Sequence, residues 1–304
     1  MTPGYRALRD SFAAIDLSAR GRIRVTGEDR VRLLHAMASN DIQHLAAGSG
    51  RYTFFLNAQG RILCDSIVLA FDDHMLLSTE PEARQFLYEH LDKYIIADDV
   101  TLEDVTDTTV EIAVEGPAAD PPVALSPDLY AHAAWDAATV VRETATGQPG
   151  WRIIAAAGAV PNIVASPATS DDARTVRIEN GVPRFPDDFN ERHLAHETQL
   201  LHAVNFEKGC YLGQEIVERV RSRGGVHRFL MRIAAPSALP AGTKLTVGGN
   251  DAGEVTSMVF SPALGRAAGF AYVRTGQVPA GTPLAAGEVP VDLLSGPVTA
   301  AQHL

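Results

Sequence analysis

Alternating apolar and polar positions predict strands and helices in turn along the first part of the chain. Residues 23–26 alternate as a strand does, and residues 28–38 then place apolar side chains at helical spacing. A second alternating stretch at 52–56, a turn sequence at 57–60 and a largely apolar stretch over 61–70 together indicate a hairpin. Three further elements are expected before residue 116: a strand at 74–78, a helix after residue 82 and a strand at 110–114.

The last part of the chain predicts a small all-β domain. From about residue 226, short Val-rich stretches alternate with turn sequences at 240–242, 247–250 and 279–283. Upstream, a stretch rich in Ala and Pro at 118–127 indicates a loop between subdomains. The overall expectation is therefore an α+β protein that ends in a β domain.

Composition is that of a globular protein with room for two or three domains. The chain has 304 residues, of which 46% are apolar and 21% are charged. Apolar runs fall far short of the roughly 18 residues that cross a bilayer. The first residues lack the apolar segment of a secretory signal. We therefore expect a cytoplasmic protein with no membrane partner.

Charge and cysteine content exclude several kinds of partner. A formal net charge of −11 opposes direct nucleic-acid binding, which needs a surplus of Lys and Arg. Residues 206–232 nevertheless carry six basic against three acidic side chains, which fits either a solvated helix face or a site for an anionic ligand. The two cysteines form no disulfide framework and no paired metal motif, so no resident metal is expected.

One of the two cysteines, Cys210, lies between Gly209 and Tyr211, just before a helix predicted at about 213–221. A nearby cation such as Lys208, or the free N–H groups of a helix N-terminus, favours the reactive thiolate. The alternative is that Cys210 is a small apolar residue on a turn that the glycines shape.

The predicted strand at 61–70 carries an acid on its more apolar face. Strand geometry places Asp65 with Leu63 and Ile67 on one face, and Cys64 on the other. A carboxylate there is costly unless a ligand, a donor or a counter-charge satisfies it, so Asp65 is a site candidate with a raised pKa. A partner arginine or a neighbouring turn is the alternative. Cys64 is expected to be structural.

The sequence from Lys208 to Glu215 closely resembles the K-G-C-Y-x-G-Q-E signature of YgfZ-type folate-binding proteins. Those proteins are relatives of the glycine-cleavage T-protein, and they assist assembly or repair of iron–sulfur clusters, a role connected with tRNA modification. Shorter likenesses to the T-protein family occur at residues 40–42, 50–60, 62–65, 146–152 and 177–183.

Two of these likenesses concern a folate site. Asp65 matches the aspartate that polarises the folate reaction centre in T-proteins, whereas Arg152 stands where T-proteins have the glutamate that binds the pterin ring. A guanidinium offers only donors and cannot replace that carboxylate. We therefore expect a ligand that is oriented differently or held mainly by its tail, and no glycine-cleavage aminomethyltransferase activity.

The resemblance implies a T-protein-like folate-binding module of two interleaved α+β subdomains over 1–225 and a β-barrel-like domain over 226–304. It also implies that tetrahydrofolate or a derivative is bound and that iron–sulfur carrier or client proteins are partners, without classical enzyme turnover. From the resemblance we expect Asp65 and Arg152 to line the folate cavity and Arg221 and Arg223 to bind the glutamate tail. Cys210 is expected to be the working thiol and a transient cluster ligand, activated by Lys208, on a loop that Gly209 and Gly213 shape. The remaining motif residues, Tyr211, Gln214 and Glu215, are expected to contact the ligand or a partner or to cap the helix.

Two other functions remain open from the sequence. The first is a folate-dependent one-carbon transferase or demethylase that uses Asp65. The second is a non-catalytic interaction protein in which folate is only a structural ligand and the basic segment at 219–228 docks a partner.

Overall fold

Three β-sheets and six α-helices make up the described part of the chain, which in this computed structural model comprises residues 1–274, 276, 278 and 283–294. The helices are α1 (Pro3–Asp10), α2 (Arg30–Met37), α3 (Arg84–Asp92), α4 (Ser170–Asn180), α5 (Ala195–Thr198) and α6 (Gln214–Arg223). Most of the turn predicted at 279–283 lies outside the described residues.

The first two sheets share the chain up to residue 168. Their strands are β1 (Ala13–Asp16), β2 (Gly21–Thr26), β3 (Ser49–Leu56), β4 (Ile62–Ala70), β5 (Met75–Thr79), β6 (Thr101–Asp104), β7 (Thr109–Glu115), β8 (His132–Trp135), β9 (Ala138–Val141), β10 (Gly150–Ala156) and β11 (Ser166–Ala168). The first sheet has five antiparallel strands in the order β3-β4-β5-β2-β6. The second has six in the order β11-β1-β7-β10-β9-β8, so β1 belongs to the second sheet although it precedes the first.

The predicted hairpin is the pair β3 and β4, and its turn is held by Asn57. The side-chain Oδ1 of Asn57 accepts hydrogen bonds from the backbone N–H groups of Gln59 and Arg61. Gly60 takes a φ of +69°, which a residue without Cβ adopts at little cost. The hairpin prediction is confirmed, and it fixes which face of β4 each side chain occupies.

The main apolar core lies on one face of the first sheet, where α2 and α3 cover it. Cys64 is fully buried there beside Ile62 and Val68, which confirms that it packs in the core. The other face of the same sheet meets the second sheet through a smaller cluster. That cluster includes Ile67 of β4 and Ile154 of β10. The gap between the two sheets, next to this cluster, is where a ligand can enter.

The third sheet is a closed six-stranded barrel, which confirms the predicted all-β domain. Its strands are β12 (Phe229–Ala235), β13 (Lys244–Val247), β14 (Asn250–Ser261), β15 (Arg266–Val273), β16 (Leu284–Ala286) and β17 (Val289–Leu293). The barrel has its own core, but Leu230, Phe270 and Tyr272 pack into the main core of the first sheet. A domain boundary at 225/226 stays a prediction.

Helix α4 was missed by the sequence analysis because apolar residues are sparse along it. Its local signals are nevertheless clear. Thr169 and Asp172 form a capping box at its N-terminus, and Gly181 ends it in the left-handed conformation with a φ of +77°. These signals define the ends of α4 even where hydrophobic periodicity is weak.

The buried carboxylate of Asp188 ties the barrel to the segment that follows α4. It accepts hydrogen bonds from Arg177 Nη1 at 2.8 Å and from the backbone N–H of Arg184 at 2.9 Å. From β14 it accepts hydrogen bonds from Thr256 Oγ1 at 2.9 Å and Ser257 Oγ at 2.5 Å. A register shift in β14 between Val255 and Ser257 accompanies these two adjacent hydroxyls.

We expect Asp188→Ala to lower the free energy of unfolding by about 3–5 kcal/mol, because it leaves the buried guanidinium of Arg177 without its main counter-charge. Chemical denaturation measures this change. The matched control is Asp187→Ala, whose carboxylate is 37% exposed and lies 3.8 Å from Arg177; it should change stability by only about 0.5 kcal/mol. Equal effects of the two substitutions would show that the hydrogen bonds of Asp188 do not hold the barrel to the segment after α4.

Candidate functional site

A cavity of about 470 Å³ lies between the first and second sheets and is closed on one side by α4. This volume falls in the usual range of small-molecule sites. The first sheet contributes Tyr52, Asp65 and Ile67, and the second sheet and its loops contribute Tyr130, Glu143 and Arg152. Other lining residues include Arg20, Glu80, Ser170, Asp171, Ala173, Arg174, Arg177, Arg184, Leu200 and His202.

Asp65 points into this cavity from β4. Its Oδ2 accepts a hydrogen bond from the Tyr52 hydroxyl at 2.7 Å, whereas its Oδ1 is buried and has no hydrogen-bond partner among the described residues. Burial, followed by the neighbouring Glu80 carboxylate, raises the pKa of Asp65 to about 6. A buried acceptor without a partner is costly, so Oδ1 is positioned for a donor from a ligand.

Arg152 also lines the cavity, but two carboxylates already hold it. Its Nη1 donates to Glu111 Oε1 at 2.7 Å, and its Nη2 lies 2.5 Å from Glu143 Oε1. Only Nε is buried without a partner in the described structure. A glutamate at this position would place three carboxylates together, which explains in physical terms why this chain carries an arginine here.

The cavity residue that the sequence analysis missed most clearly is Glu143. It is 7% exposed, and burial raises its pKa to about 7, although Arg152 and Arg20 act against this. Glu143 lies two residues after Val141, whose side chain packs between the two sheets. Strand alternation extended by two residues would have placed Glu143 toward the same gap.

A second ion-pair group lines the cavity around Glu80. Arg20 pairs with one carboxylate oxygen of Glu80, and Arg184 Nε donates to the other at 2.8 Å. Although burial opposes it, these two arginines keep the pKa of Glu80 below its ordinary value. Arg184 also pairs with Glu82 at 2.7 Å. The arginines of this group are therefore already committed to protein carboxylates.

The motif around Cys210 lies outside the cavity lining. Cys210 is exposed, on a loop in which Gly209 and Gly213 take φ values of +92° and +87°. Gly213 could not be another residue without strain, because a Cβ there would lie 2.5 Å from the carbonyl oxygen of Asn57. The structure therefore separates Cys210 from Asp65 and Arg152, which it brings together.

Lys208 fixes this loop to the end of α2. Its ammonium donates to the carbonyl oxygens of His35, of Ala38 at 2.7 Å and of Asn40 at 2.8 Å. Burial lowers the pKa of Lys208 to about 8. A lysine has only three N–H donors, and all three are used here. The structure thus gives Lys208 a positioning role, and activation of the Cys210 thiol by it stays a prediction.

The other motif residues also lie away from the cavity. Gln214 Oε1 accepts a hydrogen bond from the backbone N–H of Tyr211 at 3.2 Å, which holds the loop just before α6, and capping of the helix by Gln214 stays a prediction. Tyr211 is buried, and Glu215 is exposed. Arg221 and Arg223 are exposed near the end of α6, and neither lines the cavity. Contacts of these residues with a ligand stay predictions.

Asn40 connects the motif loop to the cavity wall. Its carbonyl oxygen binds Lys208, and its side-chain Nδ2 donates to the carbonyl oxygens of Tyr52 at 2.9 Å and His202 at 2.7 Å. The rings of Tyr52 and His202 stack at 5.3 Å between centroids. Burial lowers the pKa of His202 to about 4, so this ring is neutral at neutral pH.

Neither a metal-binding cluster nor a membrane-spanning helix occurs among the residues that the structure describes. Within the described ranges, no three His, Cys, Asp or Glu side chains are grouped so that they could hold a metal ion. In the same described part of the chain, no helix is long and apolar enough to cross a membrane.

Comparisons with known proteins agree with this architecture. The chain is 26% identical to an aminomethyltransferase of Rubrobacter xylanophilus, over 88% of this chain and 78% of that protein. It is 28% identical to the human mitochondrial iron-sulfur cluster assembly factor IBA57, over 80% of this chain and 74% of that protein. The crystal structure of the glycine cleavage system aminomethyltransferase T from Bartonella henselae superposes with a TM-score of 0.83 at 21% identity, covering 97% of this chain and 88% of that one.

Two family models match the chain itself. Residues 2–125 match the GCVT N-terminal domain, and residues 227–301 match the glycine cleavage T-protein C-terminal barrel domain. The narrower resemblance to YgfZ-type proteins stays a prediction. The chain therefore carries the N-terminal domain and the C-terminal barrel domain of the glycine cleavage T-protein family.

Proposed function

We propose that this protein binds tetrahydrofolate or a derivative in the cavity between the two sheets and supports assembly or repair of iron–sulfur clusters in client enzymes. The observation that carries the folate part is that two residues lining the cavity each have a buried polar atom without a hydrogen-bond partner among the described residues, Asp65 Oδ1 and Arg152 Nε. One is an acceptor and the other a donor, and each needs a partner.

The residues around these two atoms fit a reduced pterin. A pterin is a flat heterocycle with N–H donors and ring acceptors along its edge, and a bound folate would supply one-carbon chemistry there. Asp65 and Glu143 offer acceptors, and Arg152 offers a donor. The Ile67 side chain and the stacked rings of Tyr52 and His202 provide apolar and aromatic surface for its faces.

The iron–sulfur part of the proposal is supported by Cys210. Its thiol is exposed on a loop that Lys208 holds in place, so it is accessible to a partner protein without unfolding of the core. A cluster or its sulfur would be cargo passed between proteins, because the described residues around Cys210 offer no full ligand set. The named human relative, an iron-sulfur cluster assembly factor, supports the same assignment.

An aminomethyltransferase is the second candidate, because a relative with that name aligns with most of the chain. Against it stands Arg152, which a transferase of this family replaces by glutamate according to the sequence resemblance. Aminomethyl transfer needs the reacting carbon placed to within about an ångström, and a changed pterin contact alters that placement. A structural folate in a non-catalytic interaction protein and a cytoplasmic location also stay open as proposals.

Tetrahydrofolate should stabilise the wild-type protein. A ligand that binds only the folded state adds about 2.7 kcal/mol at a hundred times its Kd. Thermal melts and calorimetry with a small folate panel measure this. An unchanged melting temperature at millimolar tetrahydrofolate would contradict the folate assignment.

Asp65→Asn is the control that separates binding from folding. The folded-state pKa of Asp65 is raised to about 6, so its contribution to stability is present at low pH and is lost as pH rises through 6. The amide avoids this loss. Without ligand, the free energy of unfolding of the variant should therefore exceed that of wild type by an amount that grows to about 1–3 kcal/mol as pH rises from about 4 to about 8. The same variant should lose most of the stabilisation by tetrahydrofolate. A variant that is destabilised at high pH would show that Asp65 has a structural partner instead.

Cys210→Ala should leave the melting temperature unchanged but abolish support of iron–sulfur enzymes, because an exposed sulfur contributes little packing and no other side chain replaces a thiolate. Cys64→Ala is the matched control. It removes a fully buried sulfur and should cost about 1 kcal/mol of stability while sparing function. Complementation of a strain without the endogenous homologue, scored by an iron–sulfur enzyme at equal protein abundance, tests both. Full complementation by Cys210→Ala would assign the motif a purely structural role.

The wild-type protein should form no methylene-tetrahydrofolate from an aminomethyl-lipoyl substrate. The physical reason is that Arg152 is held by Glu111 and Glu143 and offers a pterin only a donor. A coupled assay with Asp65→Ala as the blank measures the product. Product clearly above that blank would make the aminomethyltransferase the better assignment.

A further inference from the structure

One wall of the cavity is a face of α4. The residues of this helix that line the cavity are Ser170, Asp171, Ala173, Arg174 and Arg177, which recur at spacings of three and four. That spacing places them on one side of the helix. The first two turns of α4 therefore form the edge over which a bound molecule would leave the cavity.

Arg174 differs from the other arginines of the cavity. Arg20, Arg152, Arg177 and Arg184 each form ion pairs with protein carboxylates. Arg174 is exposed, and within the described part of the chain its guanidinium has neither a hydrogen bond nor an ion pair. Asp171 lines the cavity one turn earlier and forms no ion pair with it in that same part. Arg174 is thus a cation at the cavity that forms no ion pair with the described residues.

Burial differs between the two ends of the cavity. Asp65, Glu143 and Arg152 are 8%, 7% and 2% exposed, respectively, whereas Asp171 and Arg174 are exposed. A ligand with a flat polar ring and a flexible charged end would therefore place its ring between the sheets. Its charged end would extend along α4 toward solvent, where an anion stays hydrated and avoids the cost of burial.

We propose that Arg174 binds the anionic end of the ligand, which for a folate is its glutamate tail, and sets the preference for polyglutamylated forms. The inference rests on the proposed folate function. It moves the tail site from α6 to α4, because Arg221 lies outside the cavity lining, pairs with Glu218 and lies over the ring of Phe206.

The experiment compares the Kd of tetrahydrofolate with that of its triglutamate by calorimetry. Wild type should bind the triglutamate more tightly. Arg174→Glu should weaken the triglutamate about fivefold or more and bring the two ligands close to equal affinity, because one exposed ion pair is lost and a repulsion is gained. Arg221→Glu, the matched control on α6, should keep the wild-type ratio. Asp171→Asn should act in the opposite direction and favour the triglutamate.

Salt supplies a second readout. The preference for the triglutamate should shrink as ionic strength rises to about 0.5 M, where exposed charges are largely screened. If neither folate binds wild type, the proposed function fails and this inference fails with it. If both bind but wild type does not distinguish them, or if Arg221→Glu rather than Arg174→Glu removes the preference, the folate function stands and Arg174 is not the tail site.

Discussion

The buried carboxylate of Glu111 joins the two sheets that enclose the cavity. On its own sheet it accepts a hydrogen bond from Arg152 at 2.7 Å, and from the first sheet it faces Arg22 at 3.4 Å, with Arg20 at 3.5 Å. Arg22 is fully buried, and its remaining donors reach Thr109 and backbone carbonyl oxygens. An unpaired buried charge costs about 3–5 kcal/mol, so Glu111, together with the apolar cluster of Ile67 and Ile154, holds the two sheets at the separation that leaves the cavity.

The same pairing decides what the cavity can offer a ligand. Because Glu111 and Glu80 occupy most of the guanidinium groups, the arginines act chiefly as fixed parts of the wall. Among the described residues Asp65 forms no ion pair and Glu143 pairs with Arg152 alone, and burial raises the pKa values of these two acids to about 6 and about 7. A ligand that presents N–H groups would favour the ionised form of both acids, so binding of such a ligand and release of protons are linked at this site.

Periodicity and turn chemistry predicted the elements that depend on local sequence. The hairpin of β3 and β4, helix α6 and the final β domain all follow from spacing and from Gly or Asn at the turns, and the position of Asp65 follows from strand alternation. Ion pairs that join distant segments could not be predicted, since nothing in the spacing of Glu111 and Arg22 shows that they meet. The partners of Lys208 are backbone carbonyl oxygens, which carry no signal in a sequence, so its role in holding the loop could not be predicted from its position two residues before Cys210.

The loop of Cys210 and the cavity share a support in Asn40. Lys208 holds its carbonyl oxygen from the loop side, and its amide holds the backbone of Tyr52 and His202 on the cavity side. A change at Asn40 or Lys208 therefore disturbs both regions at once, and loss of function there could not be assigned to either. Substitutions at Asp65 and Cys210 each alter one region while the shared hydrogen bonds remain. For that reason substitutions of Asp65 and Cys210, rather than of Asn40 and Lys208 that connect them, can show whether ligand binding and thiol chemistry belong to one activity.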